Sequence, residues 1–153
     1  MIDVFFCYSH DDEPLMHSVR KQLVLYDRQK RIAKWYDRNI HPGTDWKGQI
    51  DSHLLHARII LLFVSPSFFD SDYCYDTEMK QALLQHVEGT SVVIPVILRP
   101  CLWKDAPFSN LQALPKDGRA ITEWQNQDAA CKDVADGVMA VVRDLEAGRS
   151  NSR

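Results

Sequence analysis

The 153-residue sequence lacks the glycine-rich patterns that mark common nucleotide-binding classes. It contains neither GxGxxG nor GxxxxGK[ST], so a dinucleotide or a triphosphate held in a glycine cradle is not indicated. It also lacks a basic excess, because 18 Lys and Arg stand against 21 Asp and Glu, for a net charge of −3. Direct binding to nucleic acid or to an anionic membrane surface is therefore not expected.

Long apolar runs and paired cysteines are missing as well. No run approaches the roughly 18 residues of a membrane-spanning helix. The N-terminal segment 2–6 is short and interrupted by Asp3, unlike a signal peptide. The four cysteines are widely spaced and form no CxxC pair, as is typical of free thiols in a reducing compartment. These observations predict a cytoplasmic protein with no membrane partner.

The apolar residues predict alternating strands and helices. Strand patterns cover 2–8, 32–37, 58–64, 91–98 and, as an edge strand, 119–123, and Pro95 predicts an irregularity in the fourth. Helical patterns cover 11–26, 46–54, about 70–87, 108–114 and 134–145. This alternation predicts an α/β fold, a three-layer, flavodoxin-like, doubly wound parallel sheet of five strands in the order 2-1-3-4-5. We expect one domain over 1–147 and a polar tail or linker over 148–153.

In such a sheet, ligands bind at the carboxyl ends of the strands, where the strand order reverses between the first and the third. Three segments are expected to meet there. They are Tyr8-Ser9-His10, the loop 37–46, and Ser65 with the helix that follows it. This place is the default candidate site on topology alone.

Several familiar chemistries do not fit that place. Ser9-His10-Asp11 are consecutive, and adjacency in sequence does not make a hydrogen-bonded triad. His53 and His56 lie one turn apart without an evident third ligand, so no metal site is expected. A phosphoacceptor receiver would need an Asp at the end of the third strand, where this chain has Ser65.

The most informative stretch is 65–79, in which a Ser-Pro-Ser strand exit leads into an aromatic-rich helix with a carboxylate on it. Helical spacing places Glu78 on one face with Cys74 and Tyr75, and one turn further back with Ser71. A carboxylate on a largely apolar face is costly unless it is paired or functional. The alternative is a Glu at the helix margin that contacts water.

The residues resemble the Toll/interleukin-receptor (TIR) domain family from about Asp3 to Leu145, most closely its bacterial members, which act as antiphage effectors. Five motifs in order carry the resemblance. They are Asp3-Val4-Phe5-Phe6-Cys7-Tyr8-Ser9, then Trp35-Tyr36-Asp37 with Pro42-Gly43 and Trp46, then Ser65-Pro66-Ser67-Phe68, Tyr73-Cys74 with Glu78, and Val93-Ile94-Pro95-Val96-Ile97-Leu98.

The resemblance implies an NAD⁺ glycohydrolase that releases nicotinamide and ADP-ribose or its cyclised form, with NAD⁺ as substrate and no bound cofactor. It assigns Glu78 to the ribose as the catalytic carboxylate. The residues that it places around the substrate are Tyr8, Ser9 and His10 on the floor, Asp37, Arg38, Pro42 and Gly43 in a gating loop, Trp46 as an aromatic wall, and Ser71, Tyr73 and Cys74 on the helix.

The helix that carries Glu78 departs from the family pattern. Many relatives have an aromatic residue four positions before this Glu, where the present chain has Cys74 between Tyr73 and Tyr75. Many also have a Cys three positions before it. The sequence therefore predicts a one-residue shift in this helix.

The resemblance also implies self-association through TIR–TIR contacts, and a sensor domain or partner protein outside this chain. An enzyme of this kind is expected to be activated by assembly. Two other functions stay open. One is a signal-transduction adaptor that makes TIR–TIR contacts without catalysis, and the other is an N-glycosidic transferase that acts on nucleosides.

Overall fold

A computed structural model describes residues 1–36 and 51–148. In these ranges four strands, β1 (Ile2–Cys7), β2 (Ile32–Tyr36), β3 (Ile59–Val64) and β4 (Val92–Ile97), form one parallel sheet in the order β2-β1-β3-β4. This order confirms the predicted arrangement of the first four strands. β3 lies inside the sheet and all six of its residues are buried, as its continuous apolar run predicts.

Six α-helices and one π-helix surround the sheet in the described ranges. They are α1 (Glu13–Gln22), α2 (Val24–Arg28), α3 (Ser52–His56), α4 (Pro66–Asp70), the π-helix (Tyr73–Met79), α5 (Lys80–Glu88) and α6 (Gln127–Glu146). Short 3₁₀ turns occupy His10–Asp12, Trp103–Asp105, Lys116–Gly118 and Ile121–Glu123. No helix in these ranges has the length and apolar character that crossing a bilayer requires.

The sheet separates two apolar cores because neighbouring residues of a strand point to opposite faces. Val4 and Phe6 of β1 face the first core, which α1 and α6 cover. Phe5 and Cys7 face the second core, to which α3, the π-helix and α5 contribute. The last residue of β1 on the second face is therefore Cys7, a small thiol at the carboxyl edge of the sheet.

The predicted edge strand at 119–123 is wrong. These residues contain a 3₁₀ turn that buries Ile121 in the first core. Most of its hydrogen bonds are local, since the Trp124 indole donates to the Arg119 carbonyl at 3.1 Å and the Glu123 amide donates to the Ala120 carbonyl at 2.9 Å. A single bond, from the Thr122 amide to the Leu98 carbonyl at 3.2 Å, joins the segment to the end of β4. Backbone groups that are paired within a turn are not available to extend a sheet.

The outer edge of β4 is instead paired with a single residue. The Leu114 amide donates to the Pro95 carbonyl at 2.8 Å, and the Leu114 carbonyl accepts from the Ile97 amide at 2.8 Å. The nitrogen of Pro95 points to the same outer side as its carbonyl, so β3 loses no hydrogen bond to it. β4 therefore accommodates a proline because it is an edge strand.

Three predicted helices differ from the structure. The helix expected over 11–26 is divided at Leu23 into α1 and α2, after a 3₁₀ turn at His10–Asp12. The helix expected at 108–114 is wrong, since this segment forms turns and irregular structure between the 3₁₀ turns Trp103–Asp105 and Lys116–Gly118. The single helix expected over 70–87 is divided into the end of α4, the π-helix and α5, because Ser71 takes an extended conformation. Gly89 ends α5 in a left-handed conformation. The first half of the helix expected at 46–54 lies outside the described residues.

Candidate functional site

The carboxyl ends of β1, β3 and β4 are tied together by one buried polar network. The carboxylate of Asp12 accepts hydrogen bonds from the Ser65 hydroxyl and, at 2.9 Å, from Nε of Arg99. Arg99 also donates from Nη2 to Ser67 at 2.7 Å, and the Ser65 oxygen caps α4 by accepting from the Phe68 amide at 3.0 Å. The network holds the sheet edge on which the candidate site depends.

Sequence reasoning did not foresee this network of Asp12, Ser67 and Arg99. A signal was present, because Asp12 and Arg99 each follow a predicted strand by a few residues. The carboxyl ends of parallel strands meet at one edge of a sheet. Opposite charges placed in this way are expected to pair.

The three residues that follow β1 do not form one surface. Tyr8 is buried in the first core, where its ring meets the Phe63 ring edge-on at 6.5 Å and its hydroxyl donates to Glu13 at 3.1 Å. Ser9 is nearly buried, and His10 is exposed. Tyr8 thus lies on the opposite face of the sheet from Cys7, and the structure does not bring it together with the side chains of the second core.

The carboxylate singled out from the sequence lies on the π-helix Tyr73–Met79. The hydroxyl of Ser71 accepts from the Cys74 amide at 3.2 Å, and its carbonyl accepts from the Tyr75 amide at 2.9 Å. One extra residue per turn distinguishes a π-helix from an α-helix, and such turns are frequent at functional sites. A π-helical turn is a structure that accommodates the one-residue shift predicted from the sequence.

Glu78 is buried at the carboxyl end of β1, with a side chain that is only 2% exposed. Its carboxylate and the thiols of Cys7 and Cys74 each offer one atom, and these three atoms all lie within 4.8 Å of one another. All three residues are buried. The structure therefore brings together the predicted catalytic carboxylate, the predicted substrate contact Cys74 and a thiol from β1.

The contact between β1 and the π-helix was not foreseen for Cys7. The alternation along β1 could have shown the face on which Cys7 lies, because Cys7 shares that face with Phe5. The helices that follow β3 cover the same face. Burial raises the pKa of the Cys7 thiol well above its ordinary range, and Cys74 and the carboxylate of Glu78 raise it further. Cys7 is therefore a neutral thiol at physiological pH.

The two tyrosines beside Cys74 differ in their surroundings. Both are half-buried, and the Tyr75 ring packs edge-on against Phe69 of α4 with 5.9 Å between centroids. Tyr75 also lines a largely apolar cavity of about 480 Å³. The cavity is bounded by Pro66, Phe69, Tyr75, Cys101, Leu102, Asp105 and Ala106, and Glu78 does not line it.

Five predicted substrate contacts lie outside the described residues. They are Asp37, Arg38, Pro42, Gly43 and Trp46, and their roles stay predictions.

The two histidines considered as metal ligands have other contacts. The ring of His53 stacks on Trp35 of β2 with 3.7 Å between centroids, and Nδ1 of His56 lies 2.8 Å from the Ser52 carbonyl oxygen. Within 1–36 and 51–148, the only cluster of His, Cys, Asp or Glu side chains with the spacing of a metal site is Cys7, Cys74 and Glu78.

Comparison with protein-family models matches residues 4–132 to the model described as TIR domain. Among curated proteins, the chain is 49% identical over 138 residues to the uncharacterized protein y4lF of Sinorhizobium fredii (strain NBRC 101917 / NGR234). The match covers 90% of this chain and 43% of that relative, so the chain spans less than half the length of the relative.

Among solved structures, the chain is similar to the TIR domain of the Toll-related receptor TRR-2 from Hydra magnipapillata. The TM-score is 0.60 at 20% identity, and the match covers 94% of this chain and 99% of that one. This similarity establishes the fold. The TIR domains of the activated Roq1 resistosome, which recognises the effector XopQ, match at 19% identity. This match covers 96% of this chain and 81% of that one, with a TM-score of 0.48.

Proposed function

The chain belongs to the Toll/interleukin-receptor (TIR) domain family, and from that premise we propose that it cleaves the nicotinamide N-glycosidic bond of NAD⁺. The observation that carries the proposal is Glu78, a buried carboxylate on a π-helix at the switch point of the sheet. A carboxylate is costly to bury unless it is paired or functional. In this family a Glu on the corresponding helix contacts the nicotinamide ribose.

The reaction requires little from the protein beyond charge stabilisation. The bond between the ribose C1′ and the nicotinamide nitrogen breaks, and its electron pair returns to the pyridinium ring, so nicotinamide leaves neutral without a general acid. The ribose becomes oxocarbenium-like, as in glycoside hydrolysis. Glu78 stabilises this cation and holds the ribose hydroxyls. Water then attacks C1′ and releases one proton, or a nitrogen of the adenine attacks and gives the cyclic product.

The burial of Glu78 bears on when the enzyme is active. A carboxylate with 2% exposure has almost no surface to offer a ribose. Turnover therefore requires a second arrangement in which the carboxylate is reachable. Self-association of TIR domains is the event that we propose stabilises this arrangement, because a partner that binds the competent state shifts the population toward it.

The other predicted substrate contacts on or beside the π-helix are Ser71, Tyr73 and Cys74. Ser71 and Tyr73 flank the start of the π-helix and are half-buried, so their side chains are reachable from the surface. Cys74 lies beside the carboxylate. In the proposed complex these residues contact the substrate while Glu78 faces C1′. We further propose that the reaction serves antiphage immunity in bacteria.

The test is NAD⁺ consumption, followed by HPLC at high protein concentration with a crowding agent. The parent should release nicotinamide, and Glu78→Gln, which keeps the volume and removes the charge, should lose at least about 100-fold in rate. The matched control is Asp76→Asn, which removes a carboxylate from the same π-helix, where Asp76 is exposed and pairs with Lys80 at 3.7 Å. This variant should keep the parental rate.

The outcomes separate the functions that the sequence leaves open. Equal rates for Glu78→Gln and the parent would refute the assignment of Glu78. Release of free base from nucleosides, with NAD⁺ untouched, would select the transferase. A parent that is folded and assembled but turns over neither substrate would select the signalling adaptor.

A further inference from the structure

Three potential metal ligands converge beneath the carboxyl edge of β1. The sulfur atoms of Cys7 and Cys74 and a carboxylate oxygen of Glu78 all lie within 4.8 Å of one another, and all three residues are buried. We propose that these three residues bind a thiophilic divalent cation of the zinc class. The binding itself does not depend on the proposed enzymatic activity.

The spacing of the three atoms suits a tetrahedral ion. Zn–S bonds of about 2.3 Å and Zn–O bonds of about 2.0–2.2 Å place neighbouring ligand atoms roughly 3.3–3.8 Å apart. The present limit of 4.8 Å exceeds this separation by about 1 Å. The three atoms therefore lie close to the spacing that one shared ion requires.

The backbone holds the ligands in place from two directions. Cys7 is the last residue of β1, which pairs with both β2 and β3. Cys74 and Glu78 lie four residues apart on the π-helix, and the Ser71 hydroxyl holds the Cys74 amide. Two ligands from one helical turn and a third from a rigid neighbour form a common kind of metal site.

The thiols bind the ion as thiolates, so each sulfur that ligates Zn²⁺ gives up its proton to water. The two thiolates then balance the two positive charges of the ion, and this balance matters in a low-dielectric site, where net charge is costly.

The ligand set selects the class of ion. Two thiolates and one carboxylate favour Zn²⁺ and its spectroscopic substitute Co²⁺, while Mg²⁺ and Ca²⁺ require oxygen ligands. The three side chains leave a fourth tetrahedral position for a water molecule.

The consequence for activity does rest on the proposed function. A bound cation engages the carboxylate that would otherwise stabilise the ribose cation, so Zn²⁺ should inhibit NAD⁺ cleavage. The affinity of the site and its effect on turnover are separate measurements. A parent that binds the ion without cleaving NAD⁺ would refute the proposed function alone, and a parent that cleaves NAD⁺ without binding the ion would refute only the metal site.

The experiment titrates tag-free, fully reduced protein with Co²⁺ and records the near-ultraviolet band that thiolate-to-cobalt charge transfer produces. The parent should bind one Co²⁺ per chain, and Zn²⁺ should displace it. Cys7→Ala and Cys74→Ala should each weaken binding at least about 100-fold, beyond the range seen for groups that only support a ligand. Glu78→Gln should weaken binding while preserving the thiolate band at saturation.

The chain supplies its own matched controls, because two further thiols lie elsewhere. Cys131 is buried on α6 in the first core, and Cys101 is half-buried after β4. Cys101→Ala and Cys131→Ala should keep the parental band and affinity. Absence of the band in the parent, or its equal loss in these controls, would refute the site. If Cys7→Ala does not fold by thermal melting, Cys74→Ala provides the same test from the π-helix.

Discussion

Asp12 and Arg99 pair across the carboxyl edge of the sheet, with 2.9 Å between Oδ1 of the carboxylate and Nε of the guanidinium. The Asp12 side chain is 1% exposed, while that of Arg99 is 35% exposed, so the anion is buried and the cation reaches water. The pair joins the segment after β1 to the segment after β4. It therefore holds together the ends of strands that are far apart in sequence.

Removal of the Asp12 carboxylate should destabilise the protein. Asp12→Ala leaves the buried Ser65 hydroxyl without its acceptor, and Arg99 without its partner. We expect the free energy of unfolding to fall by about 1–3 kcal/mol, measured by urea denaturation. The control is Asp136→Ala, which breaks an exposed pair with Lys132 on α6 and should leave the free energy of unfolding nearly unchanged. Similar losses in the two variants would contradict a structural role for the buried pair.

Gly118 should not tolerate a side chain. Its φ is +67°, and a Cβ there would lie 2.6 Å from Cζ2 of Trp103. Gly118→Ala is expected to lower the free energy of unfolding by about 1–3 kcal/mol, because the overlap with the ring adds to the strain of the left-handed backbone. Gly148→Ala isolates the backbone contribution, since φ is +75° and no atom lies within 4 Å of its Cβ position. If both variants unfold at the same urea concentration, the contact with Trp103 has no effect.

Cys131 should make stability sensitive to alkaline pH. Burial raises the pKa of this thiol from 9.0 to about 11, so the unfolded chain loses the proton first as pH rises. The stabilisation is complete below pH 9.0 and is lost as pH rises through about 11. Urea denaturation of the parent and Cys131→Ala across this range should show a steeper decline for the parent. Parallel profiles would mean that the thiol does not contribute to the pH dependence.

The proposed NAD⁺ cleavage should depend on protein concentration more steeply than to first order. The reason is the burial of Glu78, which requires a second arrangement that self-association stabilises. The measurement is the initial rate of nicotinamide release over a dilution series, with light scattering on the same samples. A strictly linear dependence down to the lowest detectable rate would show that the monomer is already competent.

Much of the fold could be predicted from the sequence because its signals are local. The continuous apolar run of β3, the acidic first turn of α1 with Pro14, and Gly89 after α5 all act through nearby backbone groups. The strand at 119–123 failed because Ile121 enters the first core from a turn. In the sequence, a single apolar residue between polar ones is compatible both with a turn and with a short edge strand.

The candidate site was likewise predictable from the sequence only in part. Helical spacing alone indicated that Glu78 and Cys74 share a face, and the structure brings them together. The alternation along β1 could have placed Tyr8 on the face of Val4 and Phe6, and in the structure its ring packs on Phe63 in the first core. The functions assigned to these residues remain predictions.

The sequence by itself determined the family motifs, the first four strands and the helix on which the proposed catalytic carboxylate lies, since each follows from local periodicity and spacing. The order of those strands followed from the common topology of such folds. Only the tertiary structure decided that this helix is a π-helix, that Cys7 lies beside Cys74 and Glu78, and that Asp12 pairs with Arg99. The physical reason is that such contacts depend on how a strand end and a helix pack in space. Small changes in that packing exchange one neighbour for another while leaving the local pattern intact.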